Sequence, residues 1–129
     1  MGWDAFAVTK TGRDIGRDYR HDRLKNPAFD KAFKVAVESA KNQGGSIDRL
    51  LRFGALDCSA CGQVLEDISG KSVYSEYNWS PEEVKAIAEN DAWLCVDLHH
   101  ERHEPWAFYS AYMFITTCAK LGLGVRFSW

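Results

Sequence analysis

The chain has 129 residues, of which 46% are hydrophobic and 26% are charged. This composition excludes a disordered or fibrous protein, and the length is typical of a single domain, residues 1–129. Because 16 Lys and Arg residues oppose 18 Asp and Glu residues, the net charge of −2 gives no strong attraction for nucleic acid or an anionic membrane. No apolar run approaches the ~18 residues of a membrane span, so we expect a cytoplasmic protein.

The first third of the chain is predicted to contain a strand, a charged loop and a helix. Aromatic and β-branched residues over Gly2–Thr9 are typical of a strand with a buried face. The stretch Arg13–Lys25 has few apolar side chains, which indicates a loop. Asn26-Pro27 then provides an N-cap and a first-turn proline, and the apolar residues that follow recur at helical spacing up to Gly44-Gly45.

Three more helices are predicted in the middle of the chain. Ser46 can cap a short helix that Gly54 ends, and Asp57 can cap another that ends at Gly70. In the second of these, one apolar stripe is formed by Cys61, Val64, Leu65 and Ile68. Ser80–Glu83 is a capping box with proline at the first helical position, which predicts a further helix start.

The last third is predicted to contain a strand, a polar loop, a helix and a final strand. Ala92–Leu98 has β-type composition with little polarity, so we predict a buried strand there. The polar run His99–Glu104 follows, and Pro105 opens an aromatic-rich helix that we expect to lie centrally in the core. Gly124–Trp129 alternates apolar and polar residues, which predicts the final strand.

Together these elements predict an α+β fold: a small, mainly antiparallel sheet of three or four strands, with about five helices packed mostly on one face. The first and last strands carry Trp3 and Trp129. Pairing between these two strands would tie both ends of the chain into the sheet.

The cysteines allow three interpretations. Cys58 and Cys61 form a C-x-x-C pair, which can share a metal ion or act as a redox couple. Cys95 and His99 offer a second ligand pair, so a Cys3His zinc site would use Cys58, Cys61, Cys95 and His99. Unmodified cysteine is among the most buried residue types, and Cys61 continues an apolar stripe. We therefore favour buried structural thiols and no cofactor, with zinc as the alternative.

The run His99–Glu104 is the densest group of titratable side chains in the sequence. His99, His100 and His103 could contact an anionic ligand, or serve as acid, base or metal ligand near neutral pH. The order His100-Glu101-Arg102-His103 is one residue short of the H-E-x-x-H zinc-protease motif, so that activity is rejected. The alternative is a solvated loop in which Glu104 caps the helix opened by Pro105.

Arg13–Lys25 is the second polar cluster. Its composition is suited to contacting phosphates and stacking on a base, and the candidate binding residues are Arg13, Arg17, Tyr19, Arg20 and Arg23. Aspartates are interleaved among the arginines, which also fits a solvated loop paired with itself.

Three segments resemble small proteins of unassigned function carried by phages and prophages. The segments are the opening Met1–Ala7, the helix start Trp79–Glu83 and the ending Cys118–Trp129. The resemblance implies a cytoplasmic accessory protein that blocks a host defence by binding a protein or a signalling nucleotide. No functional residue can be carried over from it.

The sequence contains no phosphate-binding loop, nucleophile elbow or dinucleotide fingerprint, which disfavours the enzyme classes that carry them. The leading hypothesis is a small non-enzymatic binding protein that contacts a host protein or an anionic small molecule through its two polar clusters. Membrane binding is not expected, and nucleic acid is not the favoured partner. The alternatives are a zinc-supported domain or a hydrolase that uses the histidine and glutamate side chains of His99–Glu104.

Overall fold

The computed structural model describes residues 3–10, 55–57, 59–74 and 77–129. These residues form three strands, four α-helices and one 3-10 helix. The elements, in chain order, are β1 (Asp4–Val8), β2 (Ala55–Asp57), α1 (Ser59–Ser69), α2 (Pro81–Ala88), a 3-10 helix (Asp91–Leu94), α3 (Val96–Arg102), α4 (Pro105–Lys120) and β3 (Gly124–Ser128). The predicted α+β class with an antiparallel sheet is confirmed.

Two of the predicted helices, over 26–45 and 46–54, lie outside the described residues. The four α-helices of the described ranges are fewer than the five predicted for the whole chain. None of these helices is both long and apolar enough to cross a membrane.

The sheet has the strand order β2-β1-β3, and both pairings are antiparallel. Asp4 lies opposite Ser128 and Val8 lies opposite Gly124, so the predicted pairing of the first and last strands is confirmed. An isolated bridge extends the described sheet beyond β3, where the Trp79 amide donates to the Val125 carbonyl oxygen at 2.8 Å. Strand β2 was not predicted, because three residues are too few for an alternating pattern to be read.

Helix α1 packs closely on the sheet because of a glycine. The Trp3 ring lies over Gly62, and a Cβ atom added at Gly62 would lie 3.0 Å from that ring. The indole Nε1 of Trp3 donates to the carbonyl oxygen of Val73 at 3.1 Å, which satisfies the one polar group of this buried side chain. The apolar stripe predicted for α1 is buried as expected, at Cys61, Val64, Leu65 and Ile68.

Helix α4 is the central helix of the described core, as predicted. It packs against α1, α2 and α3 as well as the sheet. The buried residues of α4 are Ala107, Phe108, Ser110, Ala111, Phe114, Ile115, Thr117 and Cys118. Burial raises the pKa of the Cys118 thiol, so this cysteine stays protonated, as the interpretation of a buried structural thiol requires.

Helix α2 begins with the predicted capping box. The Ser80 hydroxyl accepts from the Glu83 amide, and the Glu83 carboxylate accepts from the Ser80 amide, both at 3.2 Å. The Lys71 ammonium donates to the other oxygen of Glu83 at 2.6 Å. The hydrogen bond from Lys71, followed by that from the Ser80 backbone, lowers the pKa of Glu83 below its ordinary value.

The predicted strand over Ala92–Leu98 is wrong. The Asn90 side chain accepts from the Ala92 amide at 2.8 Å and starts a 3-10 helix, which leads into α3. Leu94 is 80% exposed and Leu98 is 44% exposed, whereas Trp93 is only 4% exposed. The local cap and the anchoring of Trp93 therefore outweigh the β-type composition, as tertiary packing commonly does for strand propensity.

The loop predicted for the following polar run is also wrong over most of its length. His99–Arg102 form the last part of α3, and His103 ends the helix. Glu104 does occupy the N-cap position of α4, but its side chain makes no capping hydrogen bond.

Replacing Trp93 and Leu94 separately tests this correction. Trp93 is buried and donates to the Ile87 carbonyl oxygen at 2.8 Å, so Trp93→Ala should lower the free energy of unfolding by about 3–5 kcal/mol. Leu94→Ala should change it by less than about 0.5 kcal/mol, because the side chain is exposed. Chemical denaturation measures both free energies. If Leu94→Ala lowered the free energy of unfolding as much as Trp93→Ala, the result would support the buried strand instead.

Glu83→Gln tests the capping network through pH. A carboxylate whose pKa is lowered by folding adds stability above its unfolded value of 4.5, and this stability is lost as the pH falls through the lower folded value. The variant should therefore be less stable than the parent at neutral pH and converge with it well below pH 4.5, as measured by denaturation at both conditions. The control is Glu82→Gln, which removes an exposed charge from the same helical turn. A stability difference that persists unchanged in acid would contradict this role of Glu83.

Candidate functional site

A groove between α1 and α3 carries most of the polar run His99–Glu104 that the sequence singled out. Two depressions of about 380 Å³ each lie in this groove. Both are lined by Gln63 of α1 and by Arg102 and His103 at the end of α3. The groove is therefore one continuous region in which α1 and α3 place side chains opposite each other.

Helix α1 brings its polar edge to this groove because its apolar stripe faces the core. Glu66 and Asp67 follow Gln63 by three and four residues, so all three lie on one side of the helix. Gln63 and Asp67 are exposed, and Glu66 is half-buried. The amphipathic pattern of α1 thus determines which of its side chains can reach α3.

Helix α3 places two imidazoles one above the other. His99 and His103 are four residues apart, their ring centroids are separated by 6.0 Å, and the rings are inclined by only 19°. The His99 ring is buried because it also stacks on Phe108 of α4, with 5.2 Å between centroids. His103 is more accessible than His99 and lies at the mouth of the groove.

The carboxylate of Asp67 connects the two helices. Its Oδ2 atom lies 3.0 Å from Nε2 of His103, which donates a hydrogen bond to it. The same oxygen lies 3.8 Å from Nδ1 of His99 and 3.7 Å from Nη1 of Arg102. The hydrogen bond from His103 is the main cause that lowers the pKa of Asp67, and it prevails over the opposing effect of burial.

His99 has one nitrogen with a partner and one without. Its Nε2 lies 3.0 Å from the carbonyl oxygen of Ala92, and because a carbonyl can only accept, Nε2 carries the hydrogen. Its Nδ1 is buried and has no hydrogen-bond partner, and 3.8 Å from Asp67 is too long for such a bond. In the neutral ring, the lone pair of Nδ1 therefore faces a carboxylate across a short gap.

The three histidines predicted as ligand contacts do not form one group. His99 and His103 come together as described, but His100 is turned towards α4, with ring centroids 5.9 Å from Phe108 and 5.7 Å from Tyr109. His100 lines only one of the two depressions. The third member of the group, Asp67, was not recognised from the sequence.

The described cysteines, Cys61, Cys95 and Cys118, do not join this group. Within the ranges that the structure describes, one set of three or more His, Cys, Asp or Glu side chains has its ligand atoms within 4.8 Å of one another: Asp67, His99 and His103. Cys61 is buried in α1, whereas Cys95 is exposed at the start of α3 and not in the middle of a buried strand. Cys58 lies outside the described residues, so the Cys3His zinc set stays a prediction.

The arginine cluster also lies outside the described residues. The phosphate-binding role predicted for this segment therefore stays a prediction, and it concerns Arg13, Arg17, Tyr19, Arg20 and Arg23.

Comparison with protein families, characterised proteins and solved structures found no match for this chain.

The hydrogen on His99 can be observed directly. In protein stripped of metal, we expect Nε2 of His99 to be protonated and Nδ1 to be unprotonated, because only Nε2 has an acceptor. Long-range ¹H–¹⁵N correlation spectra of the imidazoles at neutral pH distinguish the two nitrogens. His99→Gln assigns the signals by removing them. A ring protonated on both nitrogens would contradict the lone pair inferred for Nδ1.

Proposed function

We propose that this protein binds a divalent transition-metal ion of the zinc type through Asp67, His99 and His103. The observation that carries the proposal is the buried, unpartnered Nδ1 of His99, which faces the Asp67 carboxylate at 3.8 Å. Two groups that can each donate an electron pair, held this close without a shared hydrogen, are stabilised by a cation between them. Imidazole nitrogen and carboxylate oxygen are ligands that zinc and related ions take in proteins.

The distances fit such an ion. Zinc binds nitrogen and oxygen at about 2.1 Å, and tetrahedral geometry then separates two ligand atoms by about 3.4 Å. The two nitrogens lie 3.0 Å and 3.8 Å from Oδ2 of Asp67, one on each side of that value. Small rotations of the more exposed His103 and Asp67 would bring all three ligands to bonding distance.

The surroundings of His99 support its role as a ligand. Histidines that bind metal usually donate their other ring hydrogen to a carbonyl or carboxylate, which fixes the orientation of the ring. The bond from Nε2 of His99 to the Ala92 carbonyl oxygen is of this kind. In His103, by contrast, the nitrogen that faces Asp67 carries the hydrogen, because its Nε2 donates to the carboxylate. Metal binding would replace that hydrogen, since a ligating nitrogen must be deprotonated.

The charges around the groove also favour a cation over an anion. Among the described side chains that line the two depressions, four are carboxylates and one, that of Arg102, carries a permanent positive charge. The carboxylates belong to Glu66, Asp67, Glu101 and Glu104. Direct contact of an anion with the histidines, as first predicted, would have to overcome this negative surplus.

A protein that binds a metal ion in this way still belongs to the predicted class of small binding proteins. The alternative of a hydrolase needs a glutamate beside the histidines, and Glu101 follows His99 by two residues on α3. That spacing places it about 200° around the helix from His99, and it lines the depression that Asp67 does not line. A host partner and a phage origin stay predictions that rest on the sequence resemblance alone.

Calorimetric titration of tag-free, chelator-treated protein with Zn²⁺ tests the proposal. We expect one ion per chain, with Mg²⁺ giving no comparable heat. Asp67→Asn and His103→Gln should each weaken zinc binding by more than about tenfold, because even changes beyond the first ligands cost about 10–100-fold. Both positions are at least partly accessible, so these variants are expected to fold, and circular dichroism verifies it.

Two matched controls accompany these variants. His100→Gln changes the neighbouring imidazole that faces Tyr109 and should leave zinc affinity within about twofold. Cys95→Ser changes an exposed cysteine and should also have no effect. Absence of zinc binding by the parent protein would overturn the proposal. Loss of binding in Cys95→Ser would overturn it in favour of the Cys3His site.

A further inference from the structure

The described residues offer too few protein ligands to complete the proposed metal centre. Asp67, His99 and His103 supply three ligand atoms among the described residues, whereas zinc takes at least four. His99 closes one side of the centre, since its side chain is only 5% exposed. Asp67 and His103 line an open depression on the other side. At least one coordination position therefore faces the groove and can accept a ligand from solution.

Arg102 lies beside that position. It lines both depressions, its side chain is 57% exposed, and its Nη1 lies 3.7 Å from Oδ2 of Asp67. This distance is beyond a hydrogen bond, so the guanidinium has donors available towards the groove. When a metal ion takes over the charge of Asp67, the ion and Arg102 become two neighbouring cations. An anion that contacts both relieves their repulsion.

The shape of the guanidinium selects the kind of anion. Its planar fork of N–H donors matches groups with two oxygens, such as a phosphate or a carboxylate. One oxygen can bind the ion while another accepts from Arg102. Gln63 is exposed and lines both depressions, so its amide adds another donor on the α1 side of the groove.

We infer that the metal-loaded centre binds a small oxyanion, a phosphate or carboxylate group, between the ion and Arg102. This inference rests on the proposed function, because it requires the metal. The carboxylates of Glu66, Glu101 and Glu104 surround the same groove and would repel an anion in the metal-free protein. Oxyanion binding therefore depends on the ion, which distinguishes this site from an ordinary basic patch.

Cobalt substitution makes the inference measurable. Co²⁺ replaces zinc in such sites, and its visible absorption responds to a change of ligand. The Co²⁺-loaded full chain is titrated with inorganic phosphate and, separately, with acetate, while chloride at matched ionic strength is the control. We expect a saturable spectral change with phosphate or acetate and none with chloride. The more effective anion identifies the phosphate or carboxylate source.

Variants assign the role of Arg102. Arg102→Gln should weaken oxyanion binding about tenfold or more while leaving Co²⁺ affinity within about threefold, since a hydrogen bond to a charged group is lost but no ligand is. Glu101→Gln should strengthen oxyanion binding, because it removes a repelling charge. The matched control Lys85→Gln removes a positive charge from an exposed position on α2 and should change neither affinity.

The outcomes separate the two proposals. If Co²⁺ binds but neither anion changes its spectrum, the oxyanion inference is overturned and the metal proposal stands. If neither Zn²⁺ nor Co²⁺ binds, the proposed function itself is overturned. Equal binding of the anion to chelator-treated protein, or unchanged anion affinity in Arg102→Gln, would also overturn the inference.

Discussion

Phe108 is the residue on which the position of the site depends. From the first turn of α4, its buried ring contacts that of Trp93 at 5.5 Å, stacks on His99 at 5.2 Å and meets His100 edge-on at 5.9 Å between centroids. A short helix such as α3 has little stability of its own, because nucleation is costly and few hydrogen bonds repay it. Packing against Phe108 therefore holds α3 in place and sets the direction in which its two site histidines point.

The same packing also leaves one buried polar atom of His99 without a hydrogen bond. Burying His99 against Phe108 satisfies one ring nitrogen through Ala92 and leaves the other without a partner. A buried polar atom without a hydrogen bond destabilises a protein by about 1–3 kcal/mol, and native structures rarely keep one without a reason. The lone pair of Nδ1, which faces a carboxylate, can serve as a metal ligand.

The groove combines charges of both signs in an arrangement that a metal ion would change. Without an ion, Asp67 is shared among His103, His99 and Arg102, and the surrounding glutamates make the groove unfavourable to anions. With an ion, Asp67 would be occupied as a ligand, and Arg102 would lie beside a second cation. The proposed metal centre and the proposed oxyanion site are thus two consequences of one shared carboxylate.

Local signals in the sequence determined much of this fold. Three of these signals are the capping box at Ser80–Glu83, the apolar stripe of α1 and the aromatic content of α4. Each depends only on residues close together in the sequence, so each could be interpreted without the rest of the chain. The polar run His99–Glu104 was also recognised as a site candidate. Composition misled over Ala92–Leu98, because the Asn90 cap and the burial of Trp93 outweigh β propensity there.

Only the tertiary structure decided which side chains form the site. Once α3 is a helix, the spacing of His99 and His103 puts them on one face, but a loop prediction conceals that relation. Asp67 lies 36 residues before His103 along the chain and meets it only because α1 and α3 both pack around α4. The pattern of apolar residues in a sequence indicates which face of a single helix or strand is buried. A contact between two elements depends on how both pack in the core, and the pattern of neither element alone determines that packing.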